Sequence, residues 1–527
     1  MLLFFTLLIA ICGLLYELLL WTLSSYLIWD SVTQFSFTIG FFMSGMWIGA
    51  YLSRFLEKNA VYNFLKVELL LSVIWASSVV LLKMLYLYIW EYGMLFQFFY
   101  FLITMTLGAC VWIEIPLVAS IYKKLKIKSV SIVSDIFTFD YIWGLFASLL
   151  FPLLFLPLFG LYHTAIFVWC INLLVAIWYI AYLKKNFKKY NCSWKKYYVI
   201  IAIIALYFFT LLTFANKIEN FYLKFYFKQP ILETHQTLYQ NITLTKKWED
   251  LRMYLNWNIQ FNSLDENRYH EALVDWPLKL YFQHNQTTPK KVLVLGWWDW
   301  LAVRNLLKYE WIEEITLVEL DPKMILISRT QSDLVSLNEW SLSSEKLKII
   351  TTDAFKYLET NTKKYDVIIA DFPDPRDVFT SKLYSQEFYI MAQGSLDIWW
   401  IYITQSSSSY FATKAFWSIY KTMNHVFWDS IAYHRYLPSF WDWWFVVSQP
   451  KTKELVIENL GKLNNEYKTF ENFHKKNIQA ESTLCPDLWC TWFDQEYERN
   501  FTDVEVNSLT QPHIIEYYLE WYKKFNL

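Results

Sequence analysis

Successive apolar runs fill the first 215 residues, and each run is long enough to cross a bilayer as one helix. The predicted spans lie near residues 3–26, 33–53, 64–90, 94–121, 138–158, 162–183 and 197–215. The first run, MLLFFTLLIAICGLLYELLL, has no basic segment before it and no small-residue cleavage site after it, so a membrane helix is predicted and not a removed signal. Hydrophobic residues make up 55% of the chain. The sequence therefore predicts an α-helical bundle of about seven spans in a lipid bilayer, as in a multi-pass protein of the cell membrane.

The chain after residue 215 has a different pattern, in which short hydrophobic runs alternate with amphipathic stretches. KKVLVLG, EEITLVELDP, LKIITTDAFKYL, YDVIIADFPDP and WWIYITQSS follow one another in this region. Strands that alternate with helices imply a doubly wound parallel sheet with its ligand at the carboxyl ends of the strands. We therefore predict a Rossmann-like α/β domain of the methyltransferase type over residues 216–450. A small β-rich segment should precede its sheet, and residues 451–527 should form a helical extension.

Acidic residues follow the predicted strands. Glu319 lies about 20 residues after the first strand–loop turn, the spacing at which an acid binds ribose hydroxyls. This pattern alone is shared by dehydrogenases and methyltransferases. Asp321, directly before PKMILISR, is predicted to cap that helix. The net charge of -1 argues against a nucleic-acid partner bound through a strong basic field.

Tryptophan is unusually frequent and glycine unusually rare. The chain holds 28 Trp and 11 Gly in 527 residues, whereas average glycine usage is about 7%. In VLVLGWWDWLAVRNLL, Trp297, Trp298 and Trp300 occupy a turn where backbone should approach a ligand closely. One hypothesis is that many of these tryptophans are glycines in the living cell, through UGA codons read there as glycine. The alternative is a Trp-rich membrane protein with interfacial belts, but the tryptophans also fall in turns far beyond the apolar half.

With glycine at these positions, VLVLGWWDWLAVRNLLKYEWIEEITLVELDP resembles the nucleotide loop of the spermidine synthases, the polyamine aminopropyltransferases. Other segments resemble the same family along nearly the whole chain: YQNITLT, MYLNWNIQFNSLDENRYHEAL, DAF, DFPDP, LYSQEFY and LPSFWDWWFVVS. The apolar segment GLLYELLLWTLSSYLIWDSVTQFSFTIGFFMSGMWIGAYLSR is similar to the first spans of its membrane-anchored members.

The resemblance implies transfer of an aminopropyl group from decarboxylated S-adenosylmethionine, a co-substrate, to a diamine such as putrescine. No other cofactor and no metal is implied. The cationic substrates should favour a pocket rich in carboxylates. Members of the family often form dimers or tetramers, which implies a possible homodimer or homotetramer here.

The resemblance also assigns roles to residues. Asp371 would deprotonate the attacking amine and Asp374 would bind the diamine. Asp299 would hold the amino end of the aminopropyl chain and repel the carboxylate of ordinary S-adenosylmethionine. The other expected positions are Glu319 for the ribose, Asp353 and Ala354 for the adenine edge, and Gln240, Gln260, Tyr269 and His270 as the lining of the donor and amine sites. Phe440 departs from the family, because several relatives use a tyrosine near this position, so the identity of the acceptor stays open.

Two alternatives remain at this point. An S-adenosylmethionine-dependent methyltransferase would share the sheet and the ribose acid, but it has no need of the DFPDP acids. A non-catalytic membrane protein with a decayed synthase domain would explain the tryptophans but not the intact carboxylates.

The side of the membrane is also in question. Basic residues collect after the second, fourth and sixth spans, which puts those loops in the cytoplasm and, with seven spans, the α/β domain outside. Because the nucleotide donor is made in the cytoplasm, we expect the α/β domain to lie in the cytoplasm. One of the seven apolar runs would then not cross the bilayer.

Overall fold

The computed structural model describes residues 2–28, 31–89, 93–124, 132–186, 194–296, 300–428, 430–449 and 503–524. The chain divides into two compact units. The first contains residues 1–247, 254–258 and 526–527, and the second contains residues 248–253 and 259–525.

Long helices make up most of the first unit, and they fall over the seven predicted runs. The helices are α1 (Leu2–Ile28), α2 (Ser31–Leu56), α3 (Ala60–Ile89), α4 (Gly93–Lys124), α5 (Ile132–Leu150), α6 (Leu156–Asn186) and α7 (Trp194–Phe227). A 3-10 turn (Glu57–Asn59) joins α2 to α3, and a π turn (Phe151–Phe155) joins α5 to α6. By length and composition, five stretches of the described residues could cross a membrane: Leu8–Ser25, Gln34–Ile89, Met94–Lys124, Tyr141–Lys184 and Lys196–Phe214. Helix α7 continues past residue 215 to Phe227.

Glycines allow α2 and α4 to pack closely. A Cβ atom on Gly45 would lie 2.1 Å from the carbonyl oxygen of Met105, and one on Gly49 would lie 2.2 Å from that of Ala109. On the facing helix, a Cβ on Gly108 would lie 2.2 Å from the carbonyl oxygen of Phe42. Small residues at such crossings let helix backbones touch, which is the usual way that apolar helices associate in lipid.

A four-stranded sheet follows α7, in agreement with the predicted β-rich segment. Its strands are β1 (Ile231–Gln236), β2 (Asn241–Lys247), β3 (Asp250–Leu255) and β4 (Asn258–Asn262), and they are hydrogen-bonded in that order. Strands β1 and β2 are antiparallel.

The second unit is built on a sheet whose described strands have the order β10-β11-β9-β8-β5-β6-β7. The strands are β5 (Lys291–Leu295), β6 (Glu314–Glu319), β7 (Leu347–Thr351), β8 (Tyr365–Ala370), β9 (Leu396–Gln405), β10 (Ser430–Leu437) and β11 (Trp441–Ser448). Strands β5 to β9 are mutually parallel, as predicted. Strand β11, which lies between the edge strand β10 and β9, is antiparallel to both, which differs from the prediction of a parallel sheet. Strands β10 and β11 are joined by only three residues, a length that permits a hairpin and not a parallel crossover.

Helices and short turns connect these strands. They are α8 (Glu266–His270), α9 (Trp276–Asn285), α10 (Trp300–Leu307), α11 (Pro322–Thr330), α12 (Ser332–Asn338), α13 (Ala354–Thr360), α14 (Val378–Ser381), α15 (Gln386–Gly394), α16 (Thr413–Phe427) and α17 (His513–Lys524). A π turn (Glu271–Asp275) and 3-10 turns (Ser341–Ser343 and Lys382–Tyr384) lie between them. The aromatic stripe of α16 belongs to the core, where Phe416 and Trp417 are fully buried.

The chain order reverses at β5. From β5 the chain builds β6 and β7 on one side, and it then returns to build β8 and β9 on the other. In open α/β sheets, ligands bind in the crevice outside the carboxyl ends of the strands at such a reversal. The fold therefore places the candidate site between the loops that follow β5 and β8.

Candidate active site

The loops after β5 and β8 touch at Gly296. Gly296 has φ +125, and a Cβ atom added to it would lie 1.9 Å from the carbonyl oxygen of Asp371. The backbone N–H of Asp371 donates to the carbonyl of Leu295 at 2.9 Å. Only glycine satisfies both the positive φ and the close approach, so this residue sets the position of the acidic loop.

Asp371 begins that acidic loop and is buried, with 1% of its surface exposed. The hydroxyl of Tyr269, on α8, donates to its Oδ1 atom. The ring of Tyr269 packs edge-on against Phe445 of β11, with 5.3 Å between ring centroids. The structure thus brings together two predicted site residues from segments far apart in the chain.

Asp374 lies three residues further on and is also buried. Its Oδ2 atom accepts a hydrogen bond of 2.8 Å from the hydroxyl of Tyr518. Its Oδ1 atom lies 3.4 Å from Nε2 of Gln405, which also donates to the carbonyl of Phe372 at 2.6 Å. Arg376 approaches Oδ2 at 3.8 Å. Protein donors therefore fix the orientation of this carboxylate.

His270 is buried, with 3% of its surface exposed. Its Nδ1 atom lies 2.8 Å from the carbonyl of Glu266 and 3.1 Å from Oε2 of the same residue. Because a carbonyl only accepts, Nδ1 carries a proton. Nε2 is buried and has no hydrogen-bond partner among the described residues. A polar group of a ligand is the natural partner for this atom.

Glu266 is held in turn by Arg304 of α10, whose two terminal nitrogens donate to Oε1 at 3.0 Å and to Oε2 at 2.9 Å. Burial alone would raise the pKa of Glu266, but the hydrogen bond with His270 and the pairing with Arg304 outweigh it and lower the pKa. Sequence reasoning missed Glu266 and Arg304. The spacing of four residues between Glu266 and His270 on one helix was the only local signal.

Glu319 ends β6 and is 3% exposed. Burial raises the pKa of its carboxyl group to about 8, although the N–H of Asp321 donates to Oε1 at 2.7 Å. Asp321 caps α11 and accepts from the backbone N–H of Lys323 at 2.9 Å, which confirms the predicted N-cap.

Asp353 caps α13, the helix that begins at Ala354. Its Oδ1 atom accepts from the backbone N–H of Phe355 at 2.7 Å, and its Oδ2 atom accepts from Nζ of Lys382 at 2.6 Å. Asp353 follows β7, the neighbour of β6, so it and Glu319 stand at the carboxyl ends of adjacent strands. Two predicted donor-binding acids thus share one edge of the sheet.

Three further predicted site residues are Asp299, Gln240 and Gln260. Asp299 lies outside the described residues, as do Trp297 and Trp298. Gln260 lies on β4, and Gln240 closes a turn in the first unit, where its carbonyl accepts from the N–H of Thr237 at 2.8 Å.

Phe440 lies in the hairpin turn between β10 and β11. The preceding residue, Ser439, ties this turn to the start of α8. Its N–H donates to Asp265 at 2.7 Å, and its hydroxyl accepts from Asn262 at 2.7 Å. The hairpin turn is therefore attached to the segment that carries Tyr269 and His270.

Comparison with known proteins gives the family. The spermine/spermidine synthase domain matches residues 266–459. A polyamine aminopropyltransferase of Leptospira interrogans is 33% identical over 526 residues, which cover 98% of this chain and 97% of that protein. The chain belongs to the polyamine aminopropyltransferase family.

One further relative supports this placement, and one solved structure is similar over part of the chain. A polyamine aminopropyltransferase of Oceanobacillus iheyensis is 30% identical over 511 residues, covering 97% of this chain and 95% of that protein. The solved spermidine synthase from Thermotoga maritima is 20% identical with a TM-score of 0.37, covering 42% of this chain and 72% of that chain. Because the two sequence alignments span nearly the full length of the relatives, those transferases share the apolar N-terminal half as well as the α/β domain.

Proposed function

We propose that the protein moves the aminopropyl group of decarboxylated S-adenosylmethionine to a diamine such as putrescine, giving spermidine and methylthioadenosine. The amine nitrogen attacks the aminopropyl carbon next to sulfur, and the new C–N bond forms as the C–S bond breaks. The electron pair of the broken bond stays on sulfur, which becomes a neutral thioether. A sulfonium is a good leaving group, so the protein has to align the amine and remove its proton. The donor is a co-substrate, and no further cofactor takes part.

The observation that carries this proposal is the pair of buried acids, Asp371 and Asp374, beside the switch point of the sheet. In the proposal Asp371 accepts the proton of the attacking nitrogen while the Tyr269 hydroxyl bond to Oδ1 holds it in place. Asp374 binds the second, cationic end of the diamine. Two carboxylates in a buried crevice favour a cationic acceptor, because opposite charges offset the cost of their burial.

The donor side uses the acids of the neighbouring strands. Glu319 binds the ribose hydroxyls, Asp353 and Ala354 bind the adenine edge, and Asp299 holds the aminopropyl amine. Nε2 of His270 is buried and has no hydrogen-bond partner among the described residues, and in the proposal it forms a hydrogen bond with the substrate. Gln260 and Tyr269 line the same crevice, and the part played by Gln240 in donor binding remains a sequence-based expectation.

A product assay separates this function from a methyl transfer. The full-length protein with glycine at Trp297, Trp298 and Trp300 is incubated with decarboxylated S-adenosylmethionine and several amines, and in parallel with ordinary S-adenosylmethionine. We expect methylthioadenosine and the aminopropylated amine from the first mixture and neither S-adenosylhomocysteine nor a methylated amine from the second. S-adenosylhomocysteine as the only nucleoside product would show a methyltransferase, and no turnover of either donor would favour the decayed domain.

We propose also that the seven apolar runs of residues 1–215 anchor the protein in the cell membrane, with one of the runs not crossing it. Residues 216–450 form the catalytic domain, and residues 451–527 extend it. The apolar stretches of the first unit support the anchor. The catalytic domain would face the cytoplasm, where the donor is made. A reporter enzyme fused after Leu527 tests this, and activity of the reporter only outside the cell would contradict it.

We propose further that many tryptophans stand where the cell inserts glycine. The support is conformational: Trp248, Trp257, Trp340, Trp428 and Trp441 have φ between 60° and 71°. They are half of the ten non-glycine residues with positive φ in the described part of the chain. Bulky residues rarely adopt this conformation, whereas glycine does so freely. The coding DNA tests the proposal, because UGG at these codons would show genuine tryptophan. Trp297, Trp298 and Trp300, here called the loop tryptophans, belong to the same proposal.

A further inference from the structure

The C-terminal helix α17 reaches the acidic loop of the catalytic domain. Tyr518 of α17 is 5% exposed, and its hydroxyl donates to Oδ2 of Asp374 at 2.8 Å although the two residues are 144 positions apart. This is shorter than the other contacts of the same carboxylate, from Gln405 at 3.4 Å and Arg376 at 3.8 Å. The guanidinium of Arg376 also lies 5.8 Å from the centre of the Tyr518 ring.

The segment before α17 is docked by buried hydrogen bonds, so the tyrosine is held in place. Asn507 is fully buried, and its side-chain amide donates to the carbonyl of Ser381 at 3.0 Å. Its backbone N–H donates to the hydroxyl of Thr422 at 2.9 Å, and its carbonyl accepts from the N–H of Gln386 at 2.9 Å. Three different helices of the domain therefore hold the segment that leads into α17.

The helix itself is fixed along its length. Ile514 is fully buried in the domain core, and Glu520 pairs with Lys414 of α16 at 2.8 Å. Tyr518 lies between these two anchors on the same helix. A rigid helix restricts the rotamers of the tyrosine, so its hydroxyl stays aimed at the carboxylate without a large entropic cost.

We propose that Tyr518 is a positioning residue for the acceptor amine: it fixes the Asp374 carboxylate through Oδ2, so that Oδ1, which Gln405 approaches only at 3.4 Å, receives the diamine. This inference rests on the proposed function, because it assigns the C-terminal extension to the acceptor end of that same crevice. A hydrogen bond to a charged group is stronger than one between neutral groups. The bond from Tyr518 therefore fixes the orientation of the Asp374 carboxylate. The extension then contributes to the choice of amine and not to the binding of the donor.

The test compares Tyr518→Phe with Tyr517→Phe in the full-length protein with glycine at the loop tryptophans, which serves as the parent because nucleoside binding is expected there. Both changes remove one hydroxyl and keep the ring, but the hydroxyl of Tyr517 accepts from the N–H of Glu505 at 3.2 Å and does not touch Asp374. We expect Tyr518→Phe to raise the KM for putrescine by at least about tenfold, the lower end of the effect of losing a hydrogen bond to a charged group. The KM for the donor and kcat should change less than about twofold, since the base and the donor acids are intact. Tyr517→Phe should match the parent.

A second readout does not depend on turnover. Putrescine is titrated calorimetrically into the protein saturated with methylthioadenosine, and the same loss of affinity is expected for Tyr518→Phe alone. Unchanged putrescine affinity in Tyr518→Phe, or an equal loss in Tyr517→Phe, would overturn the positioning role. A parent that binds putrescine but forms no aminopropylated product would contradict the proposed function, and the binding comparison would still decide the role of Tyr518.

Discussion

The raised pKa of Glu319 makes nucleoside binding depend on pH. Burial holds the pKa of this carboxyl group at about 8 in the free protein, so at neutral pH most molecules carry the neutral acid. Ribose hydroxyls donate stronger hydrogen bonds to a carboxylate than to a neutral carboxylic acid. Such bonds to the charged form lower the pKa of the carboxyl group. Binding of the nucleoside should therefore release the proton of Glu319, and affinity should rise as the pH rises.

The size of the effect follows from the ionised fraction. With a free pKa of about 8, roughly one molecule in a hundred carries the carboxylate at pH 6, and about nine in ten carry it at pH 9. Affinity should then fall about 100-fold from pH 9 to pH 6, which is about 2.7 kcal/mol. Below pH 8 the association constant of the nucleoside should change about tenfold for each pH unit.

Calorimetric titration of methylthioadenosine measures this slope. The product nucleoside lacks the sulfonium and the amine of the donor, so it isolates the ribose and adenine contacts. Titration at pH 7 in two buffers with different ionisation enthalpies also counts the protons released, and about 0.9 proton for each nucleoside is expected. The experiment uses the parent chain, or the chain with glycine at the loop tryptophans if the parent does not bind.

Two variants make the result specific. Glu319→Gln should bind at pH 6 about as well as the parent and should lose the slope. Asp353→Asn removes another carboxylate from the donor side and should weaken binding at every pH while keeping the slope. A parent with no slope between pH 6 and pH 9, or a slope that survives in Glu319→Gln, would refute the assignment of Glu319 to the ribose.

The other predictions concern the base, the glycine and the loop. Asp371→Asn should bind methylthioadenosine normally but lose about 10²–10⁴-fold in kcat, because an amide cannot accept the proton, and a loss of only a few-fold would contradict the role. Gly296→Ala should lower the free energy of unfolding by at least about 2 kcal/mol, since the added Cβ would lie 1.9 Å from a backbone oxygen. Gly394→Ala, whose added Cβ meets nothing within 4 Å, should leave stability nearly unchanged. Glycine at the loop tryptophans should restore nucleoside affinity, because three indoles within four positions add bulk to a turn that should approach the nucleoside closely, and equal affinity of both chains would show that the tryptophans are genuine.

Much of the donor side could be predicted from local sequence. Glu319 ends one buried strand and Asp371 directly follows another, and parallel strands bring their carboxyl ends to one edge of the sheet. The N-cap role of Asp321 was likewise evident from the proline and the helical pattern that follow it. These features depend on neighbours within a few residues, and the local pattern determines them.

The supports of the site could not be predicted, because they join distant segments. Arg304 and Glu266 are 38 residues apart, and no periodicity links a residue on one helix to a carboxylate on another. Tyr518 and Asp374 are further apart still, with residues 450–502, outside the described residues, between them. The antiparallel edge of the sheet also escaped prediction, since a three-residue connection resembles a short loop until its strands are paired.

The tryptophans with positive φ do not all support the glycine proposal equally. Trp248, Trp340, Trp428 and Trp441 expose between 61% and 86% of their surface, so their indoles bury little apolar area to offset a conformation that costs roughly 1–2 kcal/mol. Trp257 is 6% exposed, and its ring lies 5.4 Å from that of Tyr222 and 5.4 Å from Nζ of Lys83. Loss of a packed indole costs about 3–5 kcal/mol, more than the backbone would regain. Backbone conformation and exposure therefore support the glycine proposal at the four exposed positions, whereas at Trp257 the packing of the indole outweighs the strain of the turn.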